Sequence, residues 1–377
     1  MDFTQFKQEV IEYSKTIGID KIGFTTAGTF DEMKNRLIRQ QELQYQSGFE
    51  EPDIEKRVNP GLLMDKPRSI ISIAVAYPSK MKVRVVSKRG ERRGIFCRAS
   101  WGKDYHHILR ERLQKLEEFI QSRIPEAICK SMVDTGELVD RAVAQRAGIG
   151  WSGKNCSIIT PEFGSYVYLG EMITNLPFEP DMPLEDRCGS CNKCVDVCPT
   201  GALIQGGQLD AQKCIAFLTQ TKGFLAEPYR EKLGNRLYGC DTCQTVCPEN
   251  KGKDFHLHDE MEPDPEVAKP LLRPLLFISN RDFKEKYGPV SGSWRGKKPI
   301  QRNAIIALAH YKDETAEEDL IKVMTEDPRP VIRGTAAWAL GKIGGEQSLP
   351  ALRQALKQEK DGEVIAEIEK GISFFEQ

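Results

Sequence analysis

Eight of the eleven cysteines fall between Cys188 and Cys247, in two runs spaced like metal-ligand thiolates. The first, Cys188-x-x-Cys191-x-x-Cys194-x-x-x-Cys198 followed by Pro199, has the period of a bacterial ferredoxin. In such a run three thiolates hold one cubane and the fourth crosses to its neighbour. The second run is Cys214, then Cys240-x-x-Cys243-x-x-x-Cys247 followed by Pro248. Crossing the fourth cysteines places Cys188, Cys191, Cys194 and Cys247 on one 4Fe-4S cluster and Cys198, Cys214, Cys240 and Cys243 on the other. A pair of Cys-x-x-Cys units alone would suit structural zinc. The additional cysteines and both Cys-Pro endings suit two cubanes, whose chemistry is one-electron transfer. Cys97, Cys129 and Cys156 lack ligand spacing and read as small buried apolar residues.

Three other features carry chemical potential. Asp134 follows the apolar pair Met132 and Val133, where a carboxyl can cap a helix beginning near Gly136. Gly148-Ile-Gly-Trp-Ser-Gly-Lys-Asn155 is a glycine-rich loop that lets backbone amides approach a ligand, or else a turn that ends a helix. Lys80 to Arg93 carries seven positive charges and one negative, interleaved with apolar residues. Such a run is either a solvated loop or a local phosphate site, since the net charge of -1 gives no global attraction to polyanions.

The elements that position these residues are legible from periodicity. Phe3, Phe6, Val10, Tyr13 and Ile17 predict an amphipathic opening helix, and Ile108, Leu109, Leu113, Leu116, Phe119 and Ile120 predict another over Tyr105 to Ile124. Ser69 to Tyr77, stopped by Pro78, predicts a buried strand. A third helix is expected over Gly136 to Ala147, and two apolar segments over Cys156 to Thr160 and Ser165 to Ile173. Near the C-terminus Ala304, Ala307, Leu308, Leu320, Val323 and Met324 recur 32 positions later as Ala336, Ala339, Leu340, Leu352, Ala355 and Leu356. That is the signature of HEAT-like helical pairs, closed by a last helix from Val364 to Phe374. The expected fold class is multidomain α/β plus α. Its parts are an α/β domain over 1–175, a ferredoxin-like two-cluster domain over 176–260 and a HEAT-like helical repeat over 261–377.

Several segments together resemble the epoxyqueuosine reductase family. They are Val133-Asp-Thr-Gly-Glu137, the glycine-rich loop from Ala147 to Asn155, Gly164 to Glu171, Tyr238 to Gln244, and Arg98 to His106. The likeness runs from the first helix to about residue 345, and the combination is far more specific than the cysteines alone. It implies that the N-terminal domain binds cobalamin and that an epoxide on a modified base, at the wobble position of a tRNA anticodon, is reduced to an alkene with loss of water. The family's proton donor falls on Asp134, and a general acid there would need its pKa raised by burial. Arg57, Cys97, Asp134, Lys154, Asn155, Ser157, Ile158 and Leu169 become expected cobalamin neighbours. His106 and His107 are expected to lie behind the site or at the surface. Lys222, Arg230, Arg295, Lys297 and Lys298 become expected tRNA contacts, with Arg302 a further candidate. The implied partners are tRNA carrying epoxyqueuosine and an unidentified low-potential electron donor.

Two other readings compete. A reductive dehalogenase-like corrinoid enzyme shares the plan of a corrinoid beside two cubanes, but it has no use for a helical-repeat tail. A ferredoxin-type electron carrier has no use for about 175 residues ahead of the clusters. The start of the chain has no apolar export segment, and no run approaches the roughly 18 apolar residues of a membrane helix. A cytoplasmic protein with no membrane partner is expected.

Overall fold

The computed structural model describes residues 2–376. By internal contacts the chain divides into two compact units, each assembled from separated stretches. One takes the chain up to Lys80 with Lys103–Cys214 and Asp241–Glu262, and the other takes Met81–Gly102, Ile215–Cys240 and Pro263 onward.

The first unit is built on a four-stranded sheet of β1 (Lys21–Thr26), β2 (Ser69–Ala76), β3 (Cys129–Met132) and β4 (Val167–Thr174), in the order β1-β2-β4-β3. All eight residues of β2 are buried, which is why it reads as an unbroken run of small and β-branched side chains. Every pairing is antiparallel, so the expected α/β domain is an α+β arrangement in its connectivity. Helix α1 (Phe3–Thr16) starts where the Asp2 carboxylate accepts the Thr4 N–H at 2.9 Å, and α2 (Tyr105–Arg123) starts on Asp104 in the same way. Phe6 and Tyr13 of α1 stack on Phe119 of α2. Leu109 and Leu113 of α2 lie on Gly170 of β4, where a Cβ would press on Leu113 at 3.2 Å. Each leucine removed from water here contributes about 1.5–3 kcal/mol.

Two expected elements are shorter than their sequence pattern. The helix over Gly136 to Ala147 is α3 (Asp140–Arg146) only, because the chain first turns tightly at Asp134 and Gly136 passes so close to Met132 that a Cβ would meet its side chain at 2.6 Å. The segment Cys156 to Thr160 contributes Ile158–Ile159 alone, which pairs antiparallel with Trp151–Ser152 and makes the glycine-rich loop a hairpin.

In the second unit Ile95–Phe96 runs parallel to Arg236–Tyr238, above a helical array. The array consists of α4 (Lys297–Tyr311) with α5 (Glu317–Glu326), α6 (Pro330–Ile343) with α7 (Ser348–Leu356), and α8 (Gly362–Ser373). The 32-residue recurrence is thus two helical pairs, with Ala304, Ala307, Ala336 and Ala339 fully buried where helices meet. Closest approach is at Gly341 of α6 and Gly371 of α8, where a Cβ on Gly371 would meet the Ala337 carbonyl at 2.6 Å. Among the described residues no helix is long and apolar enough to cross a membrane.

Candidate redox and proton-transfer site

Within the first unit one cavity is lined by Cys188, Cys191, Cys194 and Cys247 together with Lys154, Asn155, Arg187, Lys193 and Glu249. Cys247, far from the other three in sequence, reaches them because the short helices Lys193–Asp196 and Thr242–Thr245 pack together. Burial pushes the thiols of Cys188, Cys194 and Cys247 up, and each of the last two feels the charge of Cys188. Among the described residues no group of three or more His, Cys, Asp or Glu has the spacing for a single metal ion. A cubane needs its thiolates wider apart than one ion does, since each binds a different iron. For Cys198 burial works upward, but the backbone N–H groups of Leu203, Thr200 and Ala202 outweigh it and hold the thiol below its ordinary value. Cys214 follows the single turn Ala211–Lys213, and Cys243 lies in the turn Thr242–Thr245. In the second unit Cys240 packs, half-buried, on the helical core.

Asp134 does not cap a helix. It is the central residue of a three-residue turn in which the Thr135 N–H donates to the Val133 carbonyl at 2.5 Å, with φ at +53°. A positive-φ turn of this kind is rare and strained, and Asp is among the few residues with a side chain short enough to tolerate it. The carboxyl stays open, 58% exposed, and His106 Nε2 lies 3.3 Å from its Oδ2. His106 Nδ1 lies 2.7 Å from Asp104 Oδ1, the same oxygen that accepts the His106 N–H at the start of α2. Burial alone would push the imidazole down, but Asp104 and Asp134 on its two nitrogens push it up to about 9. His106 in turn holds the Asp134 carboxyl below its ordinary value, against burial, with the Tyr105 side chain assisting. The raised pKa expected of Asp134 is therefore absent, and the proton sits on His106 instead. Behind them Tyr105 stacks on Tyr168 at 4.5 Å, and Tyr77 meets Tyr168 at a tilt of 34° with the same centroid spacing, forming an aromatic wall.

A second acid pair lies inside. Glu171 on β4 is 1% exposed, its Oε1 has no partner, and its other hydrogen bond joins it to Asp140 at the head of α3. Burial is the main cause that pushes both carboxyls up, and the charge of Asp134 adds to it. Neither residue, nor the contact of His106 with Asp134, was found from the sequence. A Glu in an apolar strand segment was the available signal.

The other expected cobalamin neighbours separate into groups. Ile158 is buried in an apolar cluster with Ala74, Ala76 and Ala144, and Leu169 packs against that cluster partly buried. The Ser157 N–H donates to Asn155 Oδ1 at 3.1 Å, so Ser157 lies in the hairpin turn. Arg57 lies among Glu50, Arg141, Asp140 and Glu51. Lys154 is directed elsewhere, since its Nζ donates to the Gly189 carbonyl at 2.7 Å and to Asn192 Oδ1 at 3.0 Å inside the first cysteine run. Cys97, in the second unit, lies against Gly239, and its N–H donates to the Tyr238 carbonyl at 2.9 Å.

Of the expected tRNA contacts, Lys222 is exposed, and Arg295, Lys297 and Lys298 stand at the start of α4. There Trp294, missed in the sequence, is 53% exposed with the Arg295 guanidinium 4.9 Å from its ring. Arg230 is corrected. It is 2% exposed and makes a two-pronged bond to Glu367 at 2.6 Å on each prong, so its charge is spent inside the helical unit. Arg302 is also buried, bonded to the carbonyls of Thr221, Gly223 and Leu218. In the basic run Arg89, Arg92 and Arg93 pair with Glu314, Asp313 and Glu266, which leaves less free charge than the sequence count.

Family models match in three places: a 4Fe-4S double cluster binding domain over residues 187–250, epoxyqueuosine reductase QueG, DUF1730, over 57–135, and HEAT repeats over 296–373. The chain is 72% identical to the epoxyqueuosine reductase of Bacillus anthracis over 377 residues, covering all of this chain and 99% of the relative. It is similar to a solved epoxyqueuosine reductase with a tRNA-Tyr epoxyqueuosine-modified tRNA stem loop, at TM-score 0.98 and 69% identity over 100% of both chains. A Bacillus subtilis structure with TM-score 0.97 and 69% identity, covering 99% of this chain and 100% of that one, is described as having its Asp134 catalytic loop swung out of the active site.

Proposed function

The chain belongs to the epoxyqueuosine reductase family, and from that membership we propose how its own residues carry out the reaction. It is an oxidoreductase that reduces epoxyqueuosine, carried by tRNA, to queuosine, with a double 4Fe-4S cluster domain and a HEAT repeat region. Opening the epoxide to an alkene consumes two electrons and two protons and releases one water. Electrons enter from a low-potential one-electron donor. Cys198, Cys214, Cys240 and Cys243 would hold one 4Fe-4S cluster and Cys188, Cys191, Cys194 and Cys247 the other, and together they would supply one-electron transfer toward a bound cobalamin.

Cobalamin would rest against Leu169, the partly exposed residue beside that apolar cluster, with Ile158, Arg57, Ser157 and Cys97 further neighbours. When bound it supplies a strongly nucleophilic cobalt able to open an epoxide. The chain's share is positioning, exclusion of water and proton supply. The proton rests on the His106 imidazolium, which Asp104 holds in register, and the Asp134 carboxylate relays it to the departing oxygen. The observation that carries this assignment is the open carboxyl of Asp134, held on a strained turn beside a histidine with a pKa of about 9. A strained turn has a second conformation within reach, and the displaced Asp134 loop described for the Bacillus subtilis structure supports that.

The tRNA stem loop bound in the solved relative supports tRNA as the partner. Arg295, Lys297, Lys298 and Lys222 are assigned to phosphate, since the first turn of α4 offers free backbone N–H groups and a positive dipole end beside them. Trp294 is assigned to stacking on an unpaired base. The reaction belongs in the cytoplasm, where tRNA is modified.

The test is conversion of tRNA-borne epoxyqueuosine, followed by mass spectrometry of the nucleosides after anaerobic turnover. Asp134→Asn with full iron and cobalamin content should lose about 100-fold or more in rate, the usual contribution of a positioned general acid. Turnover at the wild-type rate would remove Asp134 from the proton path.

A further inference from the structure

Asn155 was expected beside cobalamin, yet it lines the cavity of Cys188, Cys191, Cys194 and Cys247. It is 6% exposed, and its Nδ2 has no hydrogen-bond partner. The orientation of the amide is fixed, because Oδ1 accepts the Ser157 N–H at 3.1 Å and a flipped amide would set N–H against N–H. Nδ2 must then point away from that turn. Gly153 keeps the amide in place, since a Cβ there would meet Asn155 Oδ1 at 2.6 Å. Four positions earlier the Trp151 indole is 1% exposed, and its Nε1 has no oxygen or nitrogen acceptor. The group it faces is the Cys188 sulfur, which the Lys154 backbone N–H also approaches. Lys154 ties the hairpin to the cysteine run through Gly189 and Asn192. Buried donors left without partners are rare, and the cavity that Asn155 lines presents four cysteine sulfurs beside the Glu249 side chain.

We propose that Asn155 and Trp151 donate hydrogen bonds to the sulfur shell of the cluster on Cys188, Cys191, Cys194 and Cys247, and that they thereby raise its reduction potential. N–H groups aimed at sulfur stabilise the added negative charge of the reduced cluster. Both are positioning residues that act on where the electron rests. The assignment rests on that four-cysteine cluster being present, as proposed above.

The experiment uses full-length protein reconstituted anaerobically with iron and sulfide, without cobalamin, and reads each cluster's midpoint potential by electron paramagnetic resonance during a redox titration. Asn155→Leu and Trp151→Phe should each move one cluster to a more negative potential, and the double variant further, while the second cluster and the iron content stay as in wild type. Unchanged potentials at full cluster content would overturn the proposal. So would an Asn155→Leu protein that loses cobalamin affinity with its potentials intact, which would return Asn155 to the corrin. If Asn155→Leu fails to assemble, Trp151→Phe decides, since it keeps the ring and removes only the N–H. Cys247→Ser is the separate control: undiminished iron and both unaltered signals would refute the ligand set itself.

Discussion

At the scale of single residues, the site is organised by where protons sit. His106 is charged in the fold up to about pH 9 because two carboxylates face its two nitrogens. Asp134→Asn should bring its pKa down toward the ordinary 6.5, a shift that NMR of the imidazole protons reads directly. A group with a raised folded pKa contributes stability that is fully present below its unfolded value and is lost as pH rises through the folded one. The deficit in Tm of Asp134→Asn should therefore be greatest below about pH 6.5, for as long as Asp134 stays ionised, shrink as pH rises above that value and vanish above about pH 9. Glu171 and Asp140 are raised as well, so here too stability falls as pH rises out of the carboxylate range. Glu171→Gln should melt higher than wild type at pH 8 and equal to it at pH 4.5, with a thermal melt at each pH deciding. None of this was legible from residue types. Asp134 was marked through resemblance, while its turn, its exposure and its histidine depend on how β3, α2 and α3 meet. An Asp before a glycine reads equally well as a helix cap.

At the scale of elements, helices and the central strand were legible because burial imposes a period. α1, α2 and β2 lie within a residue or so of their sequence reading, and the 32-residue recurrence becomes α4 to α7. What failed was local and steric. The start of α3 is displaced by the tight turn at Asp134, and the glycine-rich loop is a hairpin because Gly150 and Gly153 pass against Ile159. The same kind of close approach reverses an ordinary preference at Gly371. Alanine is normally favoured over glycine inside a helix by about 1 kcal/mol. Here the added Cβ meets the Ala337 carbonyl at 2.6 Å. Gly371→Ala should cost about 1–3 kcal/mol, measured by denaturant unfolding. An unchanged or raised midpoint would mean that α6 and α8 do not cross so closely.

At the scale of the whole molecule, sequence counts of charge overstated the tRNA surface. Arg230→Ala should cost about 3–5 kcal/mol in stability, since it leaves Glu367 buried without its partner, and should leave the salt dependence of tRNA binding unchanged. Replacing both Lys297 and Lys298 with alanine should instead reduce the slope of log affinity against log salt by about 0.7–0.9 for each phosphate that is no longer neutralised. The cysteine runs declared from their spacing alone that electrons pass through this chain. They could not name the destination, because the residues around the expected cobalamin neighbours Ile158 and Leu169 (Ala74, Ala76 and Ala144) have the composition of any core. The central claim is that the clusters serve cobalamin, and an omission series on epoxyqueuosine-bearing tRNA tests it most directly. With iron, sulfide, cobalamin and a low-potential reductant supplied anaerobically, the account predicts conversion to queuosine, and none when cobalamin alone is withheld. Conversion at an undiminished rate by cluster-loaded protein free of cobalamin would contradict it.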